Sequence, residues 1–253
     1  MAKIGFFIQS SNQELFVNNT NVLKEYYHKI IEENRYDIDL YSFVGNPNIE
    51  DTYEDGDVIY CKASDRYPNK KYSVLFKYIL ANKKYDYILI TNNTTLTNIP
   101  YLYNAVDSLD PSAYYCTIII KNFMNYPNGN VKLMSWDVFC KIAADYDTAY
   151  HCVLPVNEFI FGNTFVADVD PCMWAGAPED MIIGACLHRN RIPYMKINEY
   201  CTIHEYLDAP ILEVVEWNTV AFLTFKITAY YEVRLEHETE ELKNIIRQIS
   251  APE

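Results

Sequence analysis

Two stretches hold residues whose types and spacing could do chemistry. The first covers residues 85–98, Tyr-Asp-Tyr-Ile-Leu-Ile-Thr-Asn-Asn-Thr-Thr-Leu-Thr-Asn, a short apolar strand that stops in a cluster of amides and hydroxyls. Ligands collect at the carboxyl ends of buried α/β strands, because backbone groups and short polar side chains emerge there from a dry sheet. The residues at that end are Asn92, Asn93 and Thr94. The second stretch is Glu179-Asp180, an acidic pair after Pro178 and before an apolar run. A carboxylate just inside a helix N-terminus is fixed in place by backbone donors and the macrodipole. That suits a proton acceptor whose position matters, although the same contacts lower its pKa unless a buried pocket opposes them. Acidic residues also begin helices routinely with no chemistry attached.

The elements that must position these groups follow from periodicity. Apolar runs predict strands at 3–8, 38–44, 58–61, 87–90, 114–120, 194–197 and 220–227. Helical spacing predicts helices at 22–31, 72–80, 100–109, 181–188 and 236–249, and another that Ser135 caps and that runs through Ile142. Pro127-Asn128-Gly129-Asn130 reads as a turn, and 159–174 as irregular and aromatic. Strands alternating with helices imply an α/β, doubly wound, mixed but mainly parallel sheet flanked by helices. The chain reads as one domain over 1–253, with 205–253 as a C-terminal strand-helix extension.

Composition excludes several classes. At 253 residues, half of them hydrophobic, the chain can bury a large core. A net charge of −13 and no cluster of Lys and Arg argue against binding a nucleic-acid polymer, though not against binding one nucleotide in a local pocket. Seven Cys without a Cys-x-x-Cys pair indicate neither a disulfide framework nor a zinc ribbon, and read as packing thiols in a reducing compartment. No signal peptide and no membrane span of about 20 apolar residues is evident, so a cytoplasmic protein is expected. There is no Gly-x-Ser-x-Gly elbow, Walker loop or Gly-x-Gly-x-x-Gly fingerprint.

Four segments, taken in order, resemble those of GT-A glycosyltransferases, the fringe-type and β1,3-galactosyl- or N-acetylglucosaminyltransferases in particular. Ser64-Asp65-Arg66-Tyr67-Pro68-Asn69 is similar to their Asp-Ser-Tyr-x-Asn segment, with the lysine that usually follows falling on Ser73. The strand and Asn92-Asn93-Thr94 are similar to their strand followed by Asp-Asp-Asp. Residues 126–130 with Leu133-Met134-Ser135-Trp136-Asp137 resemble their Gly-rich turn and helix start, and Ala177-Pro178-Glu179-Asp180-Met181-Ile182-Ile183-Gly184 their Glu-Asp-Val-x-x-Gly helix.

The resemblance implies a GT-A (nucleotide-diphospho-sugar transferase) fold and inverting transfer of a sugar, from a UDP-sugar or related donor, to a glycan or glycoprotein hydroxyl. It implies Asp180 as the base, with Glu179 beside it hydrogen-bonding sugar hydroxyls or the acceptor. The nucleotide would lie across the first strand end, on Gln9, Ser10 and Ser11, with Asp65 and Arg66 near base or ribose and Asn92, Asn93 and Thr94 near ribose or phosphate. Trp174 and Gly176 are acceptor candidates, since sugars stack on aromatic rings; a core Trp is the alternative. Mn²⁺ or Mg²⁺ is the implied cofactor, and His204 falls where a late histidine ligand is expected. With the aspartate triplet rewritten, one imidazole and amide oxygens make a poor site for a hard cation. Metal-independent relatives hold the phosphates with basic side chains, for which Lys196, Lys226, Arg189, Arg191 and Arg234 are available; Asp168-Val169-Asp170 reads as an acidic loop near the acceptor. Two other readings stay open: a catalytically degenerate GT-A-like module that binds a glycan or nucleotide, and an interaction protein presenting a Tyr-rich surface.

Overall fold

The computed structural model describes residues 2–65, 68–121, 125–161, 179–197, 199–203, 221–226 and 231–250. Its centre is an eight-stranded sheet in the order β3-β4-β2-β1-β5-β8-β7-β9. The strands are β1 (Ile4–Gln9), β2 (Ile38–Gly45), β3 (Tyr53–Asp55), β4 (Val58–Cys61), β5 (Tyr87–Asn92), β7 (Tyr114–Lys121), β8 (Asn125–Ser135) and β9 (Tyr194–Lys196). β4, β2, β1 and β5 run parallel, β8 runs against β5 and β7, and β9 runs parallel to β7. The expected mixed, mainly parallel sheet flanked by helices is therefore present.

Strand alternation sorts the core onto two faces. Ile4, Phe6, Ile8, Leu89 and Leu133 pack on one face with Leu23 and Tyr27 of α1 (Glu14–Asn34) and Leu102 of α3 (Ile99–Ala105). On the opposite face, Phe7, Ile88, Ile90 and Met134 meet Tyr72 and Phe76 of α2 (Pro68–Asn82), Phe139 of α4 (Trp136–Phe161) and Ile182 of α5 (Glu179–Arg189). Leu15, Asn19, Leu23 and Tyr27 recur every fourth residue and form the buried stripe of α1. Pro68 opens α2, where its fixed φ and missing N–H cost nothing. Ser135 caps α4 as expected, its Oγ accepting the Val138 N–H at 3.3 Å.

The turn expected at Pro127-Asn128-Gly129-Asn130 is not a turn. Those residues lie inside β8, where Pro127 pairs with Ile119 and Asn128 with Ile118. The step from Ile118 to Cys116 on β7 is then matched by Asn128 to Lys132 on β8, so the extra residues are absorbed as an irregularity within the strand. Gly, Pro and Asn mark bulges as well as turns, and periodicity alone cannot separate the two. Helices α1, α2 and α4 also extend past their expected ends.

A second, three-stranded sheet, β10-β11-β6, comprises β6 (Thr95–Thr97), β10 (Glu199–Ile203) and β11 (Phe222–Lys226). Neither β6 nor β10 was expected. β6 follows directly from the β5 end, and the Tyr27 hydroxyl fixes it to α1, accepting the Thr97 N–H at 2.8 Å and donating to the Thr95 carbonyl at 3.3 Å. The final helix, α6 (Tyr231–Ile249), lies on α1 through Leu242 and Ile245. Between those helices the Asn19 amide donates to the wholly buried Glu238 at 2.8 Å and accepts from the Thr239 hydroxyl at 2.6 Å. The segment expected as an extension thus contributes a strand and a helix that pack on the elements around β5. No helix among the described residues is long and apolar enough to cross a membrane.

Asn19→Ala removes both of these hydrogen bonds from the α1–α6 contact. It should cost about 1–3 kcal/mol in urea unfolding and speed amide exchange along α6. An unchanged midpoint would mean that Leu242 and Ile245 alone hold the helix.

Candidate functional site

The carboxyl ends of β1, β2 and β4 are joined by one buried cation. Lys71, 2% exposed, projects from the first turns of α2 and donates to the Ser10 carbonyl at 2.7 Å and to Asp65 Oδ1 at 2.6 Å. Asp65 Oδ1 also accepts the Gly45 N–H at 2.7 Å, and Oδ2 the Asn12 N–H at 3.2 Å. Ser73, on which the resemblance placed the lysine that follows Asp65, donates to Asp147 at 2.6 Å. Gly45 is required by close approach, since a Cβ there would stand 2.6 Å from the Ala63 carbonyl oxygen and 2.7 Å from the Asp65 nitrogen.

Of the first-strand candidates, Gln9 accepts a hydrogen bond from the Tyr72 hydroxyl at 2.9 Å. Ser10 turns inward, accepting from the Thr20 hydroxyl at 2.8 Å and donating to the Phe16 carbonyl at 3.2 Å. Ser11 accepts the Gln13 N–H at 3.3 Å in the turn before α1. Asp65 lies beside Ser10 through Lys71, whereas Arg66 lies outside the described residues.

At the β5 end the amides bind the protein itself. The Asn92 amide donates to Asn130 Oδ1 at 2.7 Å, which ties β5 to β8. Asn93, 3% exposed, donates to the Phe16 carbonyl at 3.0 Å, and Thr94 beside it is 4% exposed. Asn93 is thereby held against the first turns of α1. This donor set does not suit Mn²⁺ or Mg²⁺: it has no carboxylate, and no group of three His, Cys, Asp or Glu able to hold a metal occurs among the described residues. His204, Trp174, Gly176 and Asp168-Val169-Asp170 lie outside the described residues.

Glu179 and Asp180 begin α5, which packs over β8. Beneath them is Lys132, placed on the same face as Ile88, Ile90 and Met134 by strand alternation. Its ammonium is 2.9 Å from Asp180 Oδ1; the lysine side chain is 3% exposed and the aspartate 17%. Burial opposes charge on Lys132, but the Asp180 carboxylate, with Tyr72 and Glu179 nearby, outweighs it and holds the ammonium well above the usual lysine value. Burial first, and Asp180 second, push the Glu179 carboxyl above its ordinary range, with Lys132 pulling the other way. Lys132 also lies over the Tyr72 ring, 5.3 Å from its centroid. The same tyrosine therefore touches Gln9 at the β1 end and Lys132 beneath α5. Tyr146, 2% exposed and electrostatically coupled to Glu179, has a hydroxyl without a hydrogen-bond partner among the described residues.

The basic candidates divide by position. Arg189 is at the far end of α5 and is held by Asp145 at 2.8 and 3.1 Å, and Arg191 follows it in a left-handed turn conformation with φ 53°. Lys196 on β9 is exposed and in register with Cys116, which is itself opposite Lys132, so these three residues share one face of the sheet. Lys226 ends β11, and Arg234 lies in α6.

No family model and no curated protein matches the sequence. Among solved structures, the chain is similar to a glycosyltransferase involved in glycosylation of the major capsid of PBCV-1, at 14% identity over 95% of this chain and 98% of that one, TM-score 0.48. It is also similar to the galactosyltransferase LgtC in complex with donor and acceptor sugar analogs, at 9% identity over 98% and 97% of the two chains, TM-score 0.49. An active-site mutant of LgtC gives 11% identity over 98% of both chains, TM-score 0.49. Likeness this loose says nothing about activity.

Lys71, Tyr72 and Lys132 were missed in the sequence. Lys132 leaves a trace there, a lone cation between Val131 and Leu133-Met134. Gly45→Ala tests the Asp65 junction: it should lower stability by about 1–3 kcal/mol, a fall of roughly 2–10 °C in Tm by thermal melting. A melt identical to the wild type would mean that the 63–65 backbone has room to move.

Proposed function

We propose that the chain is a GT-A-type glycosyltransferase that moves a sugar from a nucleotide-diphosphate donor, a UDP-sugar, to a glycan or glycoprotein hydroxyl with inversion and without a metal. The observation that supports this reading best is the continuity of the two candidate half-sites. The β1 end, assigned to the donor, and the α5 start, assigned to the base, are separated by most of the sequence but share Tyr72. Ser10 joins the same cluster through Lys71 and Asp65.

In the proposed reaction Asp180 takes the proton from the acceptor hydroxyl as that oxygen bonds to the anomeric carbon. The carbon–oxygen bond to the diphosphate breaks, its electron pair leaves on the phosphate oxygen, and the configuration inverts. Glu179, beside Asp180, contacts the acceptor or the sugar hydroxyls. The nucleotide lies on Gln9, Ser10 and Ser11 near Asp65, and Lys196 meets the departing negative charge from the edge of the sheet. Asn92, Asn93 and Thr94 enter this scheme as neutral supports of the strand end, not as ligands of a cation.

A second reading, a module that binds a nucleotide or glycan without turnover, is favoured by one observation: Asn93 is turned into the α1 contact where a transferase would need charge. Binding and turnover of UDP-, GDP- and TDP-sugars, with and without EDTA, separate the two. Expected are EDTA-insensitive transfer by the wild type and a loss of about 10²–10⁴-fold in Asp180→Asn with donor binding retained. Binding without turnover, unchanged in Asp180→Asn, supports the module. Neither binding nor hydrolysis across the panel overturns both readings, and EDTA-sensitive transfer overturns the metal-free part.

A further inference from the structure

Lys132 is a costly residue for its position. Its neighbours along β8 are Val131, Leu133 and Met134, each fully buried, and a methionine or leucine at 132 would continue that core without desolvating a charge. Instead an ammonium stands in the sheet–helix layer, and its carboxylate partner is the second residue of α5. The lysine end of the pair is dry, whereas Asp180 retains 17% exposure. The carboxyl of Glu179, one residue earlier, is pushed up, chiefly by burial.

We propose that Lys132 is a positioning residue for Asp180, its buried ammonium holding one carboxylate oxygen so that the other is presented to the acceptor. The proposal rests on the transferase reading with Asp180 as base. Among the described residues, the groups facing the pair are Glu179 from α5, Tyr72 and Lys71 from α2, Tyr114 and Cys116 from β7, Tyr146 from α4 and, at the edge, Lys196 from β9. Burial raises the three tyrosine hydroxyls and pushes the Cys116 thiol up to about 12, so these remain neutral at working pH. Lys71 is already engaged by Asp65. Among the described residues Lys132 is the ammonium in direct contact with Asp180, with Lys71 acting on Glu179 and Lys196 on Cys116 from farther away. With the ammonium gone, the two adjacent carboxyls lose their nearest countercharge in a poorly solvated layer and hold a proton to higher pH. Transfer would then fall off first on the acid side of the working range.

The test is the pH dependence of transfer in Lys132→Met and Lys132→Arg beside the wild type and Asp180→Asn. In Lys132→Met the acid limb of kcat should move up by about 1–3 pH units, with kcat about 10-fold or more below wild type on that side and donor KM little changed. Lys132→Arg, which keeps a cation, should restore most of the limb. A purely structural lysine would lower stability without moving the limb. An unshifted limb in a folded, active Lys132→Met therefore overturns the proposal while leaving the transferase reading intact. Wild-type inactivity across the donor panel instead overturns the transferase reading. Should Lys132→Met fail to fold, the ¹⁵N signal of the Lys132 ammonium decides. It should be protected from exchange in the wild type and lose that protection in Asp180→Asn; no protection in the wild type would overturn the proposal.

Discussion

An ammonium buried in a sheet–helix layer is tolerated only beside a carboxylate, and much of this molecule follows from meeting that requirement twice. Lys132 and Asp180 meet across the β8–α5 interface at 2.9 Å, and Lys71 and Asp65 meet at the ends of β1, β2 and β4 at 2.6 Å. Removing one member of such a pair strands the other, so each pair fixes the placement of its elements beyond what apolar packing requires. α5 must begin directly over Lys132, and the loop after β4 must return to Gly45. Tyr72 stands between the two pairs, with its hydroxyl on Gln9 and its ring under Lys132.

The β5 end does different work. Its amides and hydroxyls link β5 to β8, through Asn92 and Asn130, and to the first turns of α1, through Asn93 and the Phe16 carbonyl. From there the chain enters β6, which pairs with β11 and so ties a late part of the sequence to this edge. An aspartate at 93 would bring an unpaired charge against a backbone carbonyl, whereas an amide donates to it without cost. The neutral residues are thus consistent with their contacts.

The fold was largely legible. Apolar runs located β1, β2, β4, β5, β7 and β9, because a strand buried on both faces must be apolar over most of its length, whereas β3 and β8, with their acidic and Asn-Gly residues, were not expected as strands. Glu179 and Asp180 were legible as a helix start, and Ser135 as a cap, because capping is a local contract between a side chain and the next turn. The Pro127-Asn128-Gly129-Asn130 segment was misread, since the residues that permit a turn also permit a bulge and only pairing with β7 separates them. β6 and β10 were invisible because three- and five-residue strands gain their identity from partners far along the chain.

The sequence by itself determined the layered α/β class, the polar β5 end and the acidic start of α5, all of which depend on neighbours within a few residues. Only the tertiary structure decided which of these groups meet. It put Lys132 under Asp180, Lys71 against Asp65 and Tyr72 between Gln9 and Lys132. The physical reason is that buried charge is settled by three-dimensional proximity. A lone lysine in an apolar strand declares a cost, and its partner becomes known only once a helix nearly fifty residues later has packed on the sheet.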